Sequence, residues 1–244
     1  MRLYGLIGYP LSHSFSESYF TGKFAREGLT GCRYKLFPLT HISQVADLLK
    51  TPGLKGLNIT IPYKQEVLDF VDDKNHLPKG LDACNCIKIE DGKVIGFNTD
   101  VTGFQLSFMP LVQPHHRHAL ILGNGGAAQA VKYVLQQNNI QYKIVSRSLH
   151  AGSDLTYEEL TPALFETYTV IINTTPLGMY PAVETCPVLP YKALTHQHYL
   201  FDLTYNPAKT LFLQKGEIAG AVISNGAGML RIQAEESWRI WNEG

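Results

Sequence analysis

Lys64, Asp100 and the run Gly123-Asn124-Gly125-Gly126-Ala127 are the residues whose types and settings carry chemistry. Leu57, Ile59 and Ile61 alternate with Asn58 and Thr60, a strand pattern with one apolar face, and Pro62 ends it. Beyond Tyr63, the apolar residues Val67, Leu68 and Val71 recur at helical spacing. This predicts Lys64 in the first turn of a helix, where an ammonium opposes the helix dipole. A solvated lysine would explain that position. A cation kept for a ligand would explain it too, because Thr60 stands at the carboxyl end of the strand, where open α/β sheets bind ligands. Asp100 ends the run Gly96-Phe97-Asn98-Thr99 and reads in two ways. It is the N-cap of a helix over residues 101–108, or a carboxylate paired with Lys64, each favouring the other's charged form.

The glycine run follows an apolar strand over 119–122 and opens a helix over 127–137, which is the setting a dinucleotide fingerprint requires. Gly123 permits the tight turn, Gly125 lets backbone approach a pyrophosphate, and Ala128 allows close helix packing. The phosphates then meet the positive end of the helix. The next strand, 142–145, ends at Ser146-Arg147-Ser148. An NAD site carries Asp or Glu about twenty residues past the glycines. Arg147 offers a guanidinium to a 2′-phosphate instead, so the cofactor expected is NADP.

Residues 3–8, 34–39 and 56–61 read as strands, with helices over 16–27 and 42–49 between them, an order that implies a mainly parallel sheet. Ser12 and Ser14 lie in the loop after the first strand. Ser14 or Ser16 suits a helix cap, and Ser12 with Ser14 equally makes a compact set of hydroxyls for a polyol or carboxylate. Residues 83–89 and 94–97 bracket a hairpin turn. Strands over 170–172, 200–203 and 221–224 lead into polar loops that contain Thr175, Tyr205 and Asn225-Gly226. A last helix over 229–241 carries Gln233, a position most simply occupied by a surface residue.

Lysine plus arginine and aspartate plus glutamate both number 21 in 244 residues, which speaks against a nucleic acid or anionic membrane as partner and for a small molecule. No apolar run reaches a membrane span and no signal peptide is evident, so a cytoplasmic protein is expected; its assembly is expected to be a monomer or homodimer. Cys32, Cys84, Cys86 and Cys186 read as free thiols, with Cys84 and Cys86 on one face of a strand and Asn85 on the other. The cluster His115, His116 and His118 reads as a solvated linker, and no metal is expected.

Several motifs together resemble the shikimate dehydrogenase family, over almost the whole length from Gly8 to Gln233. The family's SHSxSP, GxNVTxPxK, GAVNT and GxNTD patterns match Ser12 to Glu17, Gly56 to Lys64, Asp82 to Cys86 and Gly96 to Asp100. Its GxGGA, NRT, NATxxG, DxxYxPxxT and GxxMLxxQ patterns match Gly123 to Ala127, Ser146 to Ser148, Asn173 to Gly178, Asp202 to Thr210 and Gly226 to Gln233. The resemblance implies an α/β fold: a substrate domain over 1–100 completed by the helix 227–244, and a Rossmann-like, doubly wound domain over 101–226. It implies a catalytic pair, Lys64 and Asp100. Ser12, Ser14, Thr60, Asn85, Tyr205 and Gln233 would hold the substrate. Gly123, Asn124, Gly125, Gly126, Ala127, Ser146, Arg147, Thr175, Leu203 and Gly226 would hold NADP.

The implied reaction is the reversible NADPH-dependent reduction of 3-dehydroshikimate to shikimate, in the route to aromatic amino acids. The alternatives are a quinate/shikimate dehydrogenase using NAD or NADP, and a non-catalytic regulator on the same fold. The chain departs from the family at Glu17, where proline is usual, at Asp82, at Cys86 in place of threonine and at Ser146 in place of asparagine. The second basic residue that often follows the NRT segment is also missing.

Overall fold

The computed structural model describes residues 1–11, 14–149 and 152–243. Ser12 therefore lies outside the described residues. The chain divides into two compact units, Met1–Thr99 with Gln233–Gly244, and Asp100–Ile232.

The first unit runs β1 (Arg2–Gly8), α1 (Phe15–Arg26), β2 (Cys32–Pro38), α2 (Val45–Leu48), β3 (Leu54–Ile59), β4 (Cys86–Glu90) and β5 (Lys93–Phe97). The sheet order is β2-β1-β3-β4-β5. β1, β2 and β3 are parallel, whereas β4 and β5 are added antiparallel. Both faces are covered, so β1 is apolar almost throughout. Ile7, Val45, Leu57, Val67 and Ile87 form one core cluster, and Tyr4, Phe20, Phe24, Tyr34 and Trp241 another. Each such side chain contributes about 1.5–3 kcal/mol when fully buried.

Three expectations change here. Lys64 lies in a turn rather than a helix; only a short 3₁₀ helix follows, over Glu66–Phe70. The apolar spacing of Val67, Leu68 and Val71 serves that short element, and the dipole argument for Lys64 falls away. Cys84 and Cys86 join different core clusters, because the strand begins only at Cys86 and its alternation does not extend back to Cys84. Burial pushes the Cys84 thiol up to about 11 and raises that of Cys86 further, so both stay protonated. The third change is at Asp100, which lies inside the first turn of α3 (Thr99–Phe108) instead of capping it.

The second unit continues with β6 (His118–Leu122), α4 (Gly126–Gln137), β7 (Gln141–Ser146), β8 (Leu155–Thr156), α5 (Leu164–Thr167), β9 (Val170–Asn173), β10 (Tyr199–Asp202), α6 (Leu211–Ile218) and β11 (Val222–Asn225). α7 (Ala227–Asn242) then leads back into the first unit. All six strands are parallel, in the order β11-β10-β9-β6-β7-β8. The order reverses between β6 and β9, and the crevice beyond their carboxyl ends is where such sheets bind ligands. Leu120, Leu122, Val145, Ile171, Leu200 and Phe212 form a core cluster of this unit. Elsewhere in it, Phe104 and Phe108 of α3 stack on each other and pack edge-on against Phe201. Among the described residues no helix is long and apolar enough to cross a membrane.

The histidine segment is not a solvated linker throughout, since His116 is 2% exposed. Its Nδ1 accepts the Gln113 N–H at 2.9 Å, and its Nε2 faces the Gln197 carbonyl at 3.1 Å. His198 repeats the device, with Nδ1 taking the Thr195 N–H at 3.0 Å and Nε2 facing the Phe165 carbonyl at 2.9 Å. Both rings are thereby fixed as neutral Nε2–H tautomers, and burial lowers both pKa values below the ordinary 6.5. A lowered native pKa means that the unfolded chain takes up the proton first. Their contribution is complete above about pH 6.5 and is lost as the pH falls from there through the native values. Thermal melts should drop between pH 7.5 and 5.5. The variant His198→Asn, which keeps an acceptor for Thr195, should start lower and fall less steeply; parallel slopes would remove His198 from this account.

Candidate active site

On the first unit, parallel pairing of Ile7 with Ile59 brings the loops that leave β1 and β3 out side by side. Ser14 belongs to the first loop and caps α1, its Oγ accepting the Glu17 N–H at 3.4 Å. Proline at 17 could not make that bond, and an acidic residue there suits the positive helix end, so Glu17 is absorbed locally. Thr60 and Lys64 belong to the second loop. The Thr60 N–H donates to the Ile7 carbonyl at 2.9 Å, and the Lys64 carbonyl accepts the Cys84 N–H at 2.8 Å. These bonds fix the backbone from which the lysine extends.

Asn85 is 2% exposed and organises the adjoining segment, its carbonyl accepting the Ile59 N–H at 2.9 Å. Its Oδ1 accepts the Thr99 N–H at 2.6 Å, and its Nδ2 donates to Thr99 Oγ1 at 3.1 Å and to Gln233 Oε1 at 3.3 Å. Gln233 is therefore a partner of the sheet. Buried hydrogen bonds continue from Tyr34 to Asn58 and from Asn58 to Ser237, both at 2.8 Å. Asn58 had only suggested the polar face of a strand; its alternation carried no sign of partners 24 and 179 residues away. Thr99, held by Asn85, immediately precedes the buried Asp100. Cys86 is fully buried in the core, so its replacement of threonine is accommodated there.

On the second unit, the loops after β6, β7 and β9 enclose a cavity of about 490 Å³. Of the residues expected to hold cofactor, Gly123, Asn124, Gly125, Ser146, Arg147 and Thr175 line it. Gly126 and Ala127 begin α4 beside them. Leu203 and Gly226 do not line the cavity; they pack on each other at the ends of β10 and β11, where a Cβ on Gly226 would overlap the Leu203 carbonyl. Gly123 has φ +95°, and a Cβ there would stand 2.8 Å from Thr175 Cγ2. Tyr205 lies in the loop after β10 and is 37% exposed.

The β9 loop is set by a buried polar knot that sequence reasoning missed. Asn173 and Asp202 are register partners and both fully buried. Asp202 accepts from Asn173 Nδ2 at 3.0 Å, from the Thr204 N–H at 3.0 Å and from Thr210 Oγ1 at 2.5 Å. Asn173 Oδ1 in turn accepts from the Thr175 N–H at 3.1 Å and Thr175 Oγ1 at 2.6 Å. The signal available was two polar residues at matching carboxyl ends of apolar strands.

Residues 6–87 match the model for the shikimate dehydrogenase substrate binding domain. The protein named shikimate dehydrogenase (NADP(+)) of Clostridium beijerinckii is 37% identical over 256 residues, spanning 100% of this chain and 93% of that one. The chain belongs to the shikimate dehydrogenase family. It is an oxidoreductase. A crystal structure of a family member in complex with NADP+ is 30% identical, with TM-score 0.85 over 99% of this chain and 90% of the other. The quinate dehydrogenase of Corynebacterium glutamicum in complex with NAD, 24% identical with TM-score 0.86 over 99% and 93%, shares the fold.

The cavity suits the cofactor that the sequence led us to expect. A Cβ built on Gly125 or Gly126 meets nothing within 4 Å, so backbone is open to close approach, and Gly125 caps α4 with no side-chain acceptor. The first N–H groups of α4 can then serve a phosphate. Arg147 lines the wall and, among the described residues, forms no ion pair. No group of three or more His, Cys, Asp or Glu among the described residues is placed to hold a metal ion.

Proposed function

We propose that this enzyme reduces 3-dehydroshikimate reversibly to shikimate with NADPH, in chorismate and aromatic amino acid biosynthesis, through Lys64 and Asp100. The observation that carries the reading is the rim of the first unit, where Thr60 and Lys64 share a loop fixed to β1 and to the segment of Asn85. When bound, NADPH supplies the hydride that reduces the ketone carbon. The Lys64 ammonium donates a hydrogen bond to the ketone oxygen, stabilises the charge that develops there and gives up the proton of the new hydroxyl. In oxidation it takes that proton back. Asp100 orients the ammonium and accepts a hydrogen bond from a substrate hydroxyl. Ser12 and Ser14 hold the carboxylate, and Thr60, Asn85, Tyr205 and Gln233 hold the remaining hydroxyls.

The cofactor is read by the Gly123 to Ala127 loop, Ser146, Arg147, Thr175, Leu203 and Gly226. The enzyme acts as a cytoplasmic monomer or homodimer, and its balanced charge speaks against a nucleic-acid partner. The test is reduced-nicotinamide absorbance on mixing purified protein with shikimate or quinate, each with NADP or NAD. Reduction is expected with shikimate and NADP. Equal turnover of quinate, or equal use of NAD, would move the enzyme to the dual-specificity reading, and silence in all four from folded protein would overturn catalysis.

A further inference from the structure

Lys132 is poorly placed for a lysine with only a structural role. It lies on α4, and helical side chains lean toward the N-terminus, so its ammonium reaches back to the glycine loop and donates to Asn124 Oδ1 at 3.1 Å. There it meets the positive end of the helix. It is partly buried, and no carboxylate among the described residues forms an ion pair with it. Loss of solvation lowers its pKa, and no neighbouring anion offsets this. A desolvated cation at the wrong end of a dipole is retained at a cost, and an arriving anion would remove that cost.

The neighbours indicate which anion. Asn124 lines the cavity together with Arg147, and its Nδ2 donates to the Gly152 carbonyl at 2.9 Å. Gly152 belongs to the short connection between Arg147 and β8, the segment in which the second basic residue of the family is missing. Asn124 thus ties the glycine loop to the Arg147 side of the cavity, with Lys132 behind it. We propose that Lys132 is the second cation for the 2′-phosphate of the cofactor, supplied from α4 in place of the residue missing after Arg147. The proposal rests on the reading of this cavity as the NADP site. Asn124 holds the ammonium in reserve, and the phosphate draws it off.

Calorimetric titration with adenosine 2′,5′-bisphosphate and with adenosine 5′-monophosphate tests this without turnover. Lys132→Met keeps the aliphatic stem and should weaken the bisphosphate about tenfold, equivalent to ~1.4 kcal/mol, while leaving the monophosphate nearly unchanged. Lys132→Arg should retain most of the affinity, which a purely structural lysine would not predict. Arg147→Ala is the reference and should weaken the bisphosphate at least as much. If Arg147→Ala weakens the bisphosphate and Lys132→Met does not, Lys132 is no phosphate ligand. If Lys132→Met weakens both nucleotides alike, its assignment to the 2′-phosphate is overturned. If Arg147→Ala changes neither, the NADP reading of the cavity itself fails.

Discussion

Lys64→Ala should lower the turnover of shikimate by about 10²–10⁴-fold, the range contributed by a positioned general acid or base, with far less effect on KM. The ammonium is asked to act when negative charge develops on the substrate oxygen, so most of its value appears only on the way to the transition state. A lost electrostatic donor of this kind costs about 2.7–4 kcal/mol. Alanine retains the carbonyl of residue 64, which accepts the Cys84 N–H, so the backbone of the turn keeps this bond. An unchanged circular dichroism spectrum should therefore accompany the loss of activity. Lys64→Arg keeps a charge but spreads it over a planar fork, and should recover little turnover. A rise in KM at constant turnover would reduce Lys64 to a binding residue.

Residues 119–122 were legible as a strand because burial on both faces demands a continuous apolar run, and the glycine loop was legible because its mechanics are local. Lys64 shows the limit. Apolar residues at 67, 68 and 71 satisfy a helical period, yet the element they form is a 3₁₀ helix over Glu66–Phe70 and leaves Lys64 in a turn. Short apolar runs fix a buried face without fixing the backbone that presents it. His116 shows another limit, since composition marked it as polar while its two backbone partners made burial tolerable. The pairs that shape the rim and the cavity span long stretches of sequence: Asn85 with Gln233 are 148 residues apart, and Asn173 with Asp202 are 29 apart. No local pattern specifies such partners. The family motifs carried those residues without saying which of them touch ligand and which hold the others in place.

Asp202 separates these two roles, and the second large effect is expected there. Its carboxylate is fully buried and, among the described residues, forms no ion pair with lysine or arginine. Burial pushes its pKa up despite the donors from Thr210, Thr204 and Asn173. Asp202→Ala strands those donors, each at about 1–3 kcal/mol, and should lower stability by about 3 kcal/mol in all, on the order of 10 °C in Tm. Asn173 would lose its anchor and the Thr175 loop its template, so KM for NADPH should rise. Asp202→Asn should be mild by comparison. Its Oδ1 can still accept from Asn173 and Thr204, while its Nδ2 can donate to Thr210 Oγ1, a hydroxyl that already accepts the Leu213 N–H at 3.4 Å. The amide also removes the burial of a charge. A carboxyl with a raised native pKa contributes most at low pH, and that contribution is lost as the pH rises through the native value, so the amide variant should lack this component. Denaturation midpoints and NADPH KM for the two variants decide between geometry and charge. Equal damage from asparagine and alanine would mean that the negative charge, rather than the hydrogen-bond pattern, holds the cofactor loop.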